Sequence, residues 1–486
     1  MLPESPIGIT AFGAYVPAAR LQRKAILAAN GWFNPGLKAY ANGERSIANW
    51  DEDPITMAVE AARDCLSGAS RETLAGMLFA STTMPFADRQ NSVIVKEALT
   101  LNDCTAALDV SGSQRAGTSA LLQSHAAALL GGGPVLCVAA DKRKALPASE
   151  SEMLFGDAAA AFVVGSDRMV ARLLCAQSSS VDFVDHFRHE GRDTDYGWES
   201  RWVRDEGFAK LIPAVIREVL LESGCSGGSI DKFVCPIANR GVAAAIAKQC
   251  GLGAESVCSQ LSDELGDAGA AHPLLLLAHV LETARPGEKV LVVGFGSGCD
   301  VMLYEVRPAI AELSKRRGVS GWLRRRRAET NYIKFLVHAG MLPVDRGMRS
   351  EFDQKQALTA LYRNRKSVLG LVGIRYKDTG TVQFPPSKIG LDGRRSTPAN
   401  LEDYPLAEKT ARIVTFTADN LTYTLDPPAY YGTIEFEGGG RMSAEFCDAG
   451  ADDMQVGRTM RMMFRIKSAD EQRGFIKYFW KAAPTD

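Results

Sequence analysis

The sequence predicts an α/β region over residues 1–310, followed at the C-terminal end by a small all-β barrel. Short apolar runs alternate with amphipathic helical patterns throughout the first region. The final stretch holds five β-rich runs separated by turn residues instead. Between the two, from Lys315 to Arg327, the composition turns strongly basic.

Each strand candidate is a short run of apolar, β-branched or small residues. Ile7–Phe12, Gly76–Ala80, Ala106–Val110, Val135–Ala139 and Ala160–Val164 come first, and Phe233–Pro236, Val290–Gly294 and Val301–Val306 follow. Such runs suit sheets covered by helices. The helix candidates are Ile55–Ser67, Gly117–Leu130, Gly207–Ser223, Gly241–Cys250 and Pro273–Ala284. A loose internal duplication is visible. One half closes with Gly156-Asp157-Ala158, and a second ends at Gly294-Phe295-Gly296-Ser297-Gly298.

A chain of 486 residues has room for two or three domains and a large core. Its formal net charge of −1 gives no basic surplus for nucleic acid and no acidic excess of the kind that keeps chains unfolded. No apolar stretch is long enough to span a bilayer, and Met1-Leu2-Pro3-Glu4 does not read as a leader. No nucleic-acid or membrane partner is therefore expected. The ten cysteines are scattered without a C-x-x-C pair, which encodes neither a disulfide framework nor a zinc site and points to the cytoplasm.

The most informative segment is Asp109-Val110-Ser111-Gly112-Ser113-Gln114-Arg115-Ala116-Gly117-Thr118. A strand ends in small residues and a helix begins, an elbow that presents Gln114 at a helix N-terminus. It resembles the nucleophile elbow of the thiolase superfamily, particularly hydroxymethylglutaryl-CoA synthases and ketoacyl synthase III. In those families a cysteine stands at the Gln114 position, before the same Ala-Gly-Thr pattern. The resemblance spans roughly residues 7–307. It implies a duplicated thiolase fold, layered α-β-α-β-α, that is dimeric and acts on a coenzyme A thioester with no tightly bound cofactor. A thiolate attacks thioesters, whereas a carboxamide cannot.

Other family positions are altered too. The His-Gln-Ala-Asn run of ketoacyl synthase III aligns with Pro236-Ile237-Ala238-Asn239. Asn239 agrees, but Pro236 has neither an N–H nor an ionisable group. The Asn of a Gly-Asn-Thr motif falls on Asp267, and the general-base Glu of the hydroxymethylglutaryl-CoA type falls on Thr82. The scaffold motifs persist. Backbone N–H groups of Gln114 and of Gly296-Ser297 are expected to polarise a thioester carbonyl. Asp267 reads as an Asn-like hydrogen-bond partner or as a base whose pKa burial raises. His272 reads as a satisfied polar group or as a catalyst. Gln114 either fills a silent site or takes part in the chemistry. Asp185-His186-Phe187-Arg188-His189-Glu190 reads as a surface loop, with a pocket element as the alternative, and Ser113 and Cys299 read as structural.

The run from Lys315 to Arg327 reads as a solvated linker, or else as a patch for phosphates or an acidic partner. Tyr332–Leu342 and Gln354–Leu361 look helical, so residues 311–365 form a connection. Beyond it, Ile413–Phe416, Tyr431–Phe436, Arg441–Phe446, Met460–Ile466 and Phe475–Phe479 lie at barrel-like spacing and suggest an OB-fold. Residues 366–486 resemble the OB-fold proteins that accompany thiolase-superfamily enzymes. A zinc ribbon normally precedes that barrel. Its cysteines fall here on Tyr376 and Thr379 with no later pair, so no zinc is expected.

Three functions compete. An acyl-CoA lyase of the retro-aldol or aldol type needs a base and an oxyanion site but no nucleophile, with Asp267, His272 or a tyrosine as the base. A non-catalytic subunit would organise a complex with a thiolase partner. An acyltransferase of the hydroxymethylglutaryl-CoA synthase type is the third, and Gln114 argues against it. The lyase, an enzyme, is the leading expectation.

Overall fold

The computed structural model describes residues 6–239, 241–345 and 357–485. They fall into two compact units. The first comprises Met1–Asn49, Asp53–Val93 and Leu101–Phe335; the second comprises Trp50–Glu52, Ile94–Thr100 and Leu336–Asp486.

A nine-stranded sheet builds the first unit: β1 (Gly8–Tyr15), β2 (Gly76–Ala80), β3 (Ala106–Val110), β4 (Val135–Asp141), β5 (Ala158–Gly165), β6 (Ala171–Ser180), β7 (Lys232–Val234), β8 (Lys289–Phe295) and β9 (Gly298–Val306). Their order is β7-β8-β9-β6-β1-β5-β4-β2-β3. The duplication is legible in the polarities. From β1 outward, β5 and then β4 are antiparallel and β2 is parallel to β4. From β6 outward, β9 and then β8 are antiparallel and β7 is parallel to β8. The halves meet at an antiparallel contact, Gly8 with Arg172 and Ile9 with Ala171.

Strand β6 was not among the sequence candidates, although it lies at the centre of the sheet. Its second half, Gln177-Ser178-Ser179-Ser180, is polar and carries no apolar alternation. Long-range contacts satisfy those side chains, as described below for Ser178.

Helix α1 (Pro54–Cys65) starts at a capping box. Asp53 accepts from Thr56 N at 2.8 Å, Thr56 Oγ1 accepts from Asp53 N at 2.8 Å, and Pro54 supplies a preset first turn. Helix α2 (Ala116–Gly131) follows the elbow and is apolar around most of its surface. It touches strands of both halves, as does α3 (His272–Leu281). His125 of α2 is buried, with Nδ1 2.7 Å from Leu121 O. Burial pushes this imidazole down to about 4, against the opposing pull of the Leu121 carbonyl. A histidine whose folded pKa is depressed contributes stability that is present above its unfolded pKa and lost as pH falls through the folded value. Between the ordinary histidine range and pH ~4, we expect His125→Leu to lose roughly 3 kcal/mol less stability than the parent, as urea unfolding at stepped pH would show.

The basic run is not a solvated linker. Gly318–Arg324 is helical, with Val319 and Trp322 buried. Arg317 lies over the Trp322 ring at 4.5 Å, and Arg316 donates to Phe12 O. Asp64 accepts from Arg317 N at 2.7 Å and Gly318 N at 3.0 Å. Arg327–Glu329 pairs in parallel with Ala19–Gln22. Long arginine stems cover rings while their charged heads find carbonyls, so a charge run becomes a packed surface. Tyr332–His338 and Leu358–Arg363 are helical. The start of the Gln354–Leu361 candidate lies outside the described residues.

In the second unit, β10 (Val372–Tyr376) is flanked by β11 (Val382–Gln383) and β12 (Leu401–Pro405). At the expected ribbon positions, Tyr376 donates its hydroxyl to Ser387 O at 2.9 Å, and Thr379 Oγ1 donates to Thr381 Oγ1 at 2.9 Å. Then come β13 (Ala411–Asp419), β14 (Ala429–Phe436), β15 (Arg441–Glu445), β16 (Thr459–Asp470) and β17 (Phe475–Pro484), in the order β15-β14-β13-β16-β17. A parallel bridge between Phe446 and Ala482 links the two ends of that order. Buried Lys481 pairs with Asp51 at 3.0 Å, and buried Arg465 with Asp448 at 2.6 Å and with Glu52.

Candidate active site

The elbow between β3 and α2 is pinned across the two halves. Buried Asp300 of β9 accepts from Arg115 Nη1 at 2.9 Å, Thr118 Oγ1 at 3.0 Å, Ser119 Oγ at 2.7 Å and Ser178 Oγ at 2.7 Å. Gly296 approaches so closely that a Cβ there would stand 2.5 Å from Ser113 Oγ, and its φ is +151°. Ser113 donates to Gly296 O at 2.7 Å, so its hydroxyl is engaged in the scaffold. Cys299 is buried, and burial holds its thiol well above the usual range.

Of the expected oxyanion donors, Gly296 N–H is taken by Gly298 O at 3.0 Å. Among the described residues no hydrogen-bond acceptor is assigned to the N–H of Gln114 or of Ser297.

Gln114 opens into a cavity of about 210 Å³ at the carboxyl ends of the parallel strands. In the orientation that satisfies its neighbours, its amide oxygen accepts from Arg143 Nη1 at 2.9 Å, Arg143 Nη2 at 2.5 Å and His186 Nε2 at 3.0 Å. Arg143 is buried over the Phe155 ring, 3.7 Å from its centroid. It also donates to Asp195 Oδ2 from Nε at 2.9 Å and Nη2 at 2.7 Å, and its Nη1 lies 3.4 Å from Asp267 Oδ2. Asp195 takes a second cation, Arg188, at 2.6 Å. Burial pushes the Asp195 carboxyl up, but Arg143, Arg188 and His186 outweigh it and hold the group below its ordinary value. His186 Nδ1 lies 3.1 Å from Asp185 Oδ2.

His272, at the start of α3, lines the same cavity. It is buried, and its Nδ1 has no hydrogen-bond partner. Burial pushes this imidazole down, with Asp267 and the Gln260 backbone pulling the other way. The side chain is therefore held toward its neutral form, with Nδ1 buried and unpartnered. Asp267 Oδ1 accepts from Gly269 N at 2.9 Å, and its side chain is 24% exposed. It is thus paired and partly solvated, rather than a fully desolvated base.

Pro236 and Asn239 also line the cavity, whereas Thr82 does not. Thr82 Oγ1 donates to buried Asp141 Oδ2 at 2.9 Å, and Asp141 also accepts from Ser81, Thr83 and Ala270 N. That carboxylate ties the end of β4 to the loop carrying Asp267 and His272. Phe208 and Phe295, 4.9 Å apart in an edge-on contact, form the apolar wall. Phe208 projects from a widened helical stretch, Val203–Leu211. Sequence reading did not single out Arg143 or Asp195. Arg143 sits in Lys142-Arg143-Lys144, which reads as a solvated run, and only its position after a buried strand ending in Asp141 hints otherwise.

A two-halved α/β scaffold with a strand-to-helix elbow over a polar cavity is the architecture of thiolase-type proteins, and comparisons agree. Residues 220–303 match the family model for 3-oxoacyl-[acyl-carrier-protein] synthase III, C terminal. A crystal structure of a hydroxymethylglutaryl-CoA synthase complexed with CoA superposes with TM-score 0.62 at 18% identity, covering 72% of this chain and 95% of that one. The 3-oxoacyl-(acyl carrier protein) synthase III of Pseudomonas aeruginosa does so at TM-score 0.56 and 24% identity, over 62% and 98%. The hydroxymethylglutaryl-CoA synthase of Caldivirga maquilingensis is 30% identical over 301 residues, 60% of this chain and 85% of that protein. That of Aeropyrum pernix is 29% identical over 348 residues, 70% and 96%. The chain belongs to the hydroxymethylglutaryl-CoA synthase family.

Among the described residues, no helix is long and apolar enough to cross a membrane. No group of three or more His, Cys, Asp or Glu there is clustered to hold a metal ion.

Proposed function

We propose that this family member acts on acyl-CoA thioesters in the Gln114 cavity by carbon–carbon bond chemistry that forms no acyl-enzyme, as an aldol or retro-aldol lyase. One observation carries the reading. The residue at the elbow is a carboxamide whose oxygen is held by Arg143 and His186, and the neighbouring Ser113 and Cys299 are engaged or buried. A retro-aldol cleavage needs a base for the β-hydroxyl and donors for the thioester enolate. His272, which lines the cavity, supports the first role, and Gln114 at the helix start supports the second. Asp267 then orients and balances the charge of Arg143.

Kinship favours a second reading, acyl transfer of the hydroxymethylglutaryl-CoA synthase type, because that is the name the curated relatives carry. Intact-protein mass spectrometry after incubation with acetyl-CoA and with β-hydroxyacyl-CoAs separates the two. The lyase leaves the protein mass unchanged, releases a carbonyl compound from a β-hydroxyacyl-CoA, and loses turnover in His272→Gln. A covalent acyl adduct on the unmodified chain establishes acyl transfer instead. An inert chain that recovers with a bound thiolase supports the subunit reading.

Two further proposals accompany this one. Strand β3 ends the sheet with Leu108 54% exposed, and an open strand edge of that kind supports pairing with a second copy. The strand order of the second unit, with its parallel closing bridge, supports an OB-type barrel.

A further inference from the structure

We propose that Asp185 and His186 are the proton-donating pair of the Gln114 cavity, so that a short inserted hairpin supplies a catalytic residue. This rests on the thioester reading above and assigns a second histidine to it. His186 Nε2 stands 3.0 Å from the Gln114 amide, the side chain at the reactive position of the elbow. Its Nδ1 stands 3.1 Å from Asp185 Oδ2. Arg143 fixes the Gln114 oxygen toward the imidazole, so both ring nitrogens face oxygen acceptors. Each ring nitrogen therefore has an oxygen within hydrogen-bond reach, and the Nε2 edge is the one beside Gln114 at the cavity. The nearby charges are Asp195, Asp267, Arg143 and Arg188, two of each sign, linked by three ion pairs.

The hairpin is built to hold this pair still. Its strands, His186–Phe187 and Tyr196–Gly197, are two residues each, too short to be stable alone. Four external ties compensate. Asp195 is clasped by Arg143, Arg188 donates to Thr82 O, Lys144 pairs with Asp193 at 2.9 Å, and Gln114 holds His186. A loop whose role is only to cover a surface does not need its histidine oriented at both ring nitrogens.

The step balances without an oxidant or reductant. His272 takes the β-hydroxyl proton of a β-hydroxyacyl thioester, the Cα–Cβ bond breaks, and the β-carbon becomes a carbonyl. The electron pair moves to the thioester enolate, and His186 delivers one proton to the α-carbon. The proton on His272 returns to His186 through solvent. The products are one carbonyl compound and one shortened acyl thioester. The cavity volume of about 210 Å³ suits a short acyl chain against Phe208 and Phe295.

Deuterium exchange tests the pair directly. Acetyl-CoA in D₂O reports enolate formation and reprotonation by NMR, independently of C–C cleavage. Short 3-hydroxyacyl-CoAs report cleavage, and calorimetry with acetyl-CoA reports binding. We expect His186→Gln to lower exchange and cleavage about 100-fold and Asp185→Asn about tenfold, each with acetyl-CoA affinity within about threefold of the parent. His186→Gln that exchanges within about threefold of the parent overturns the assignment. Should that variant not fold, Asp185→Asn carries the same comparison. A parent that exchanges without cleaving sinks the lyase reading and leaves the pair standing. A parent that cleaves, with His186→Gln unimpaired, does the reverse, and an inert parent overturns both.

Discussion

Replacing Gln114 by cysteine is expected to yield a protein that accepts an acyl group from acetyl-CoA and does not condense it. The cysteine would sit just before helix α2, within reach of the groups that now hold the Gln114 oxygen, Arg143 and His186. A helix N-terminus, a guanidinium and an imidazole favour the thiolate, which is the nucleophilic form. Acylation should therefore rise from none to near stoichiometric on intact-protein mass spectra. Condensation needs a further step at the thioester enolate, and the family's histidine position is Pro236, which lines the cavity with no ionisable group. Condensed product should remain undetectable by chromatography of the CoA esters. A Gln114→Cys protein that condenses would show that another residue has taken over that role.

The second large effect is expected from Arg143→Leu. One buried guanidinium serves Gln114, Asp195 and Asp267, and removing it leaves Asp195 buried with only Arg188. Breaking a buried charge cluster from one side costs about 3–5 kcal/mol. Urea unfolding should register that loss, and hydrogen exchange should rise selectively over residues 186–197. Ligand binding and turnover should fall together, because the hairpin and the Gln114 amide lose a common anchor. Arg143→Lys should recover part of the stability but not the bidentate clasp, since an ammonium cannot serve Asp195 from two parallel nitrogens. A stable Arg143→Leu protein with an ordered hairpin would remove the network from any functional account.

Much of the scaffold was legible because its signals are local. Strands Gly76–Ala80 and Ala106–Val110 begin and end where their apolar runs do. Helix Pro54–Cys65 is announced by its Asp-Pro-Ile-Thr capping box. The elbow at Gln114 and the glycine loop at Gly294–Gly298 were both legible, because close backbone approach restricts those positions to small residues. Strand β6 escaped because its polar end is satisfied from afar, Ser178 by Asp300, 122 residues away, and Ser180 by Arg115. The run from Lys315 to Arg327 misled because charge density reads as exposure throughout, whereas Arg316 lies over Phe12 and Arg317 and Arg325 lie over Trp322.

The candidate site divides along the same line. Sequence alone determined that the elbow carries a glutamine and no cysteine, and that Asp267 and His272 lie close together in the chain. Those are statements about residue type at positions set by short motifs. Only the tertiary structure decided what surrounds Gln114. Arg143, His186 and Asp195 come from separate loops and meet through long-range ion pairs and hydrogen bonds that no local spacing encodes. Likewise the sequence places Thr82 at an altered family position and offers His272 as a catalyst or a satisfied polar group. The packing separates them, because Thr82 gives its hydroxyl to Asp141, while His272 lines the cavity and has a buried, unpartnered Nδ1. Residue identity limits which chemistry is possible, and the packing around each group decides which of those groups is free to perform it.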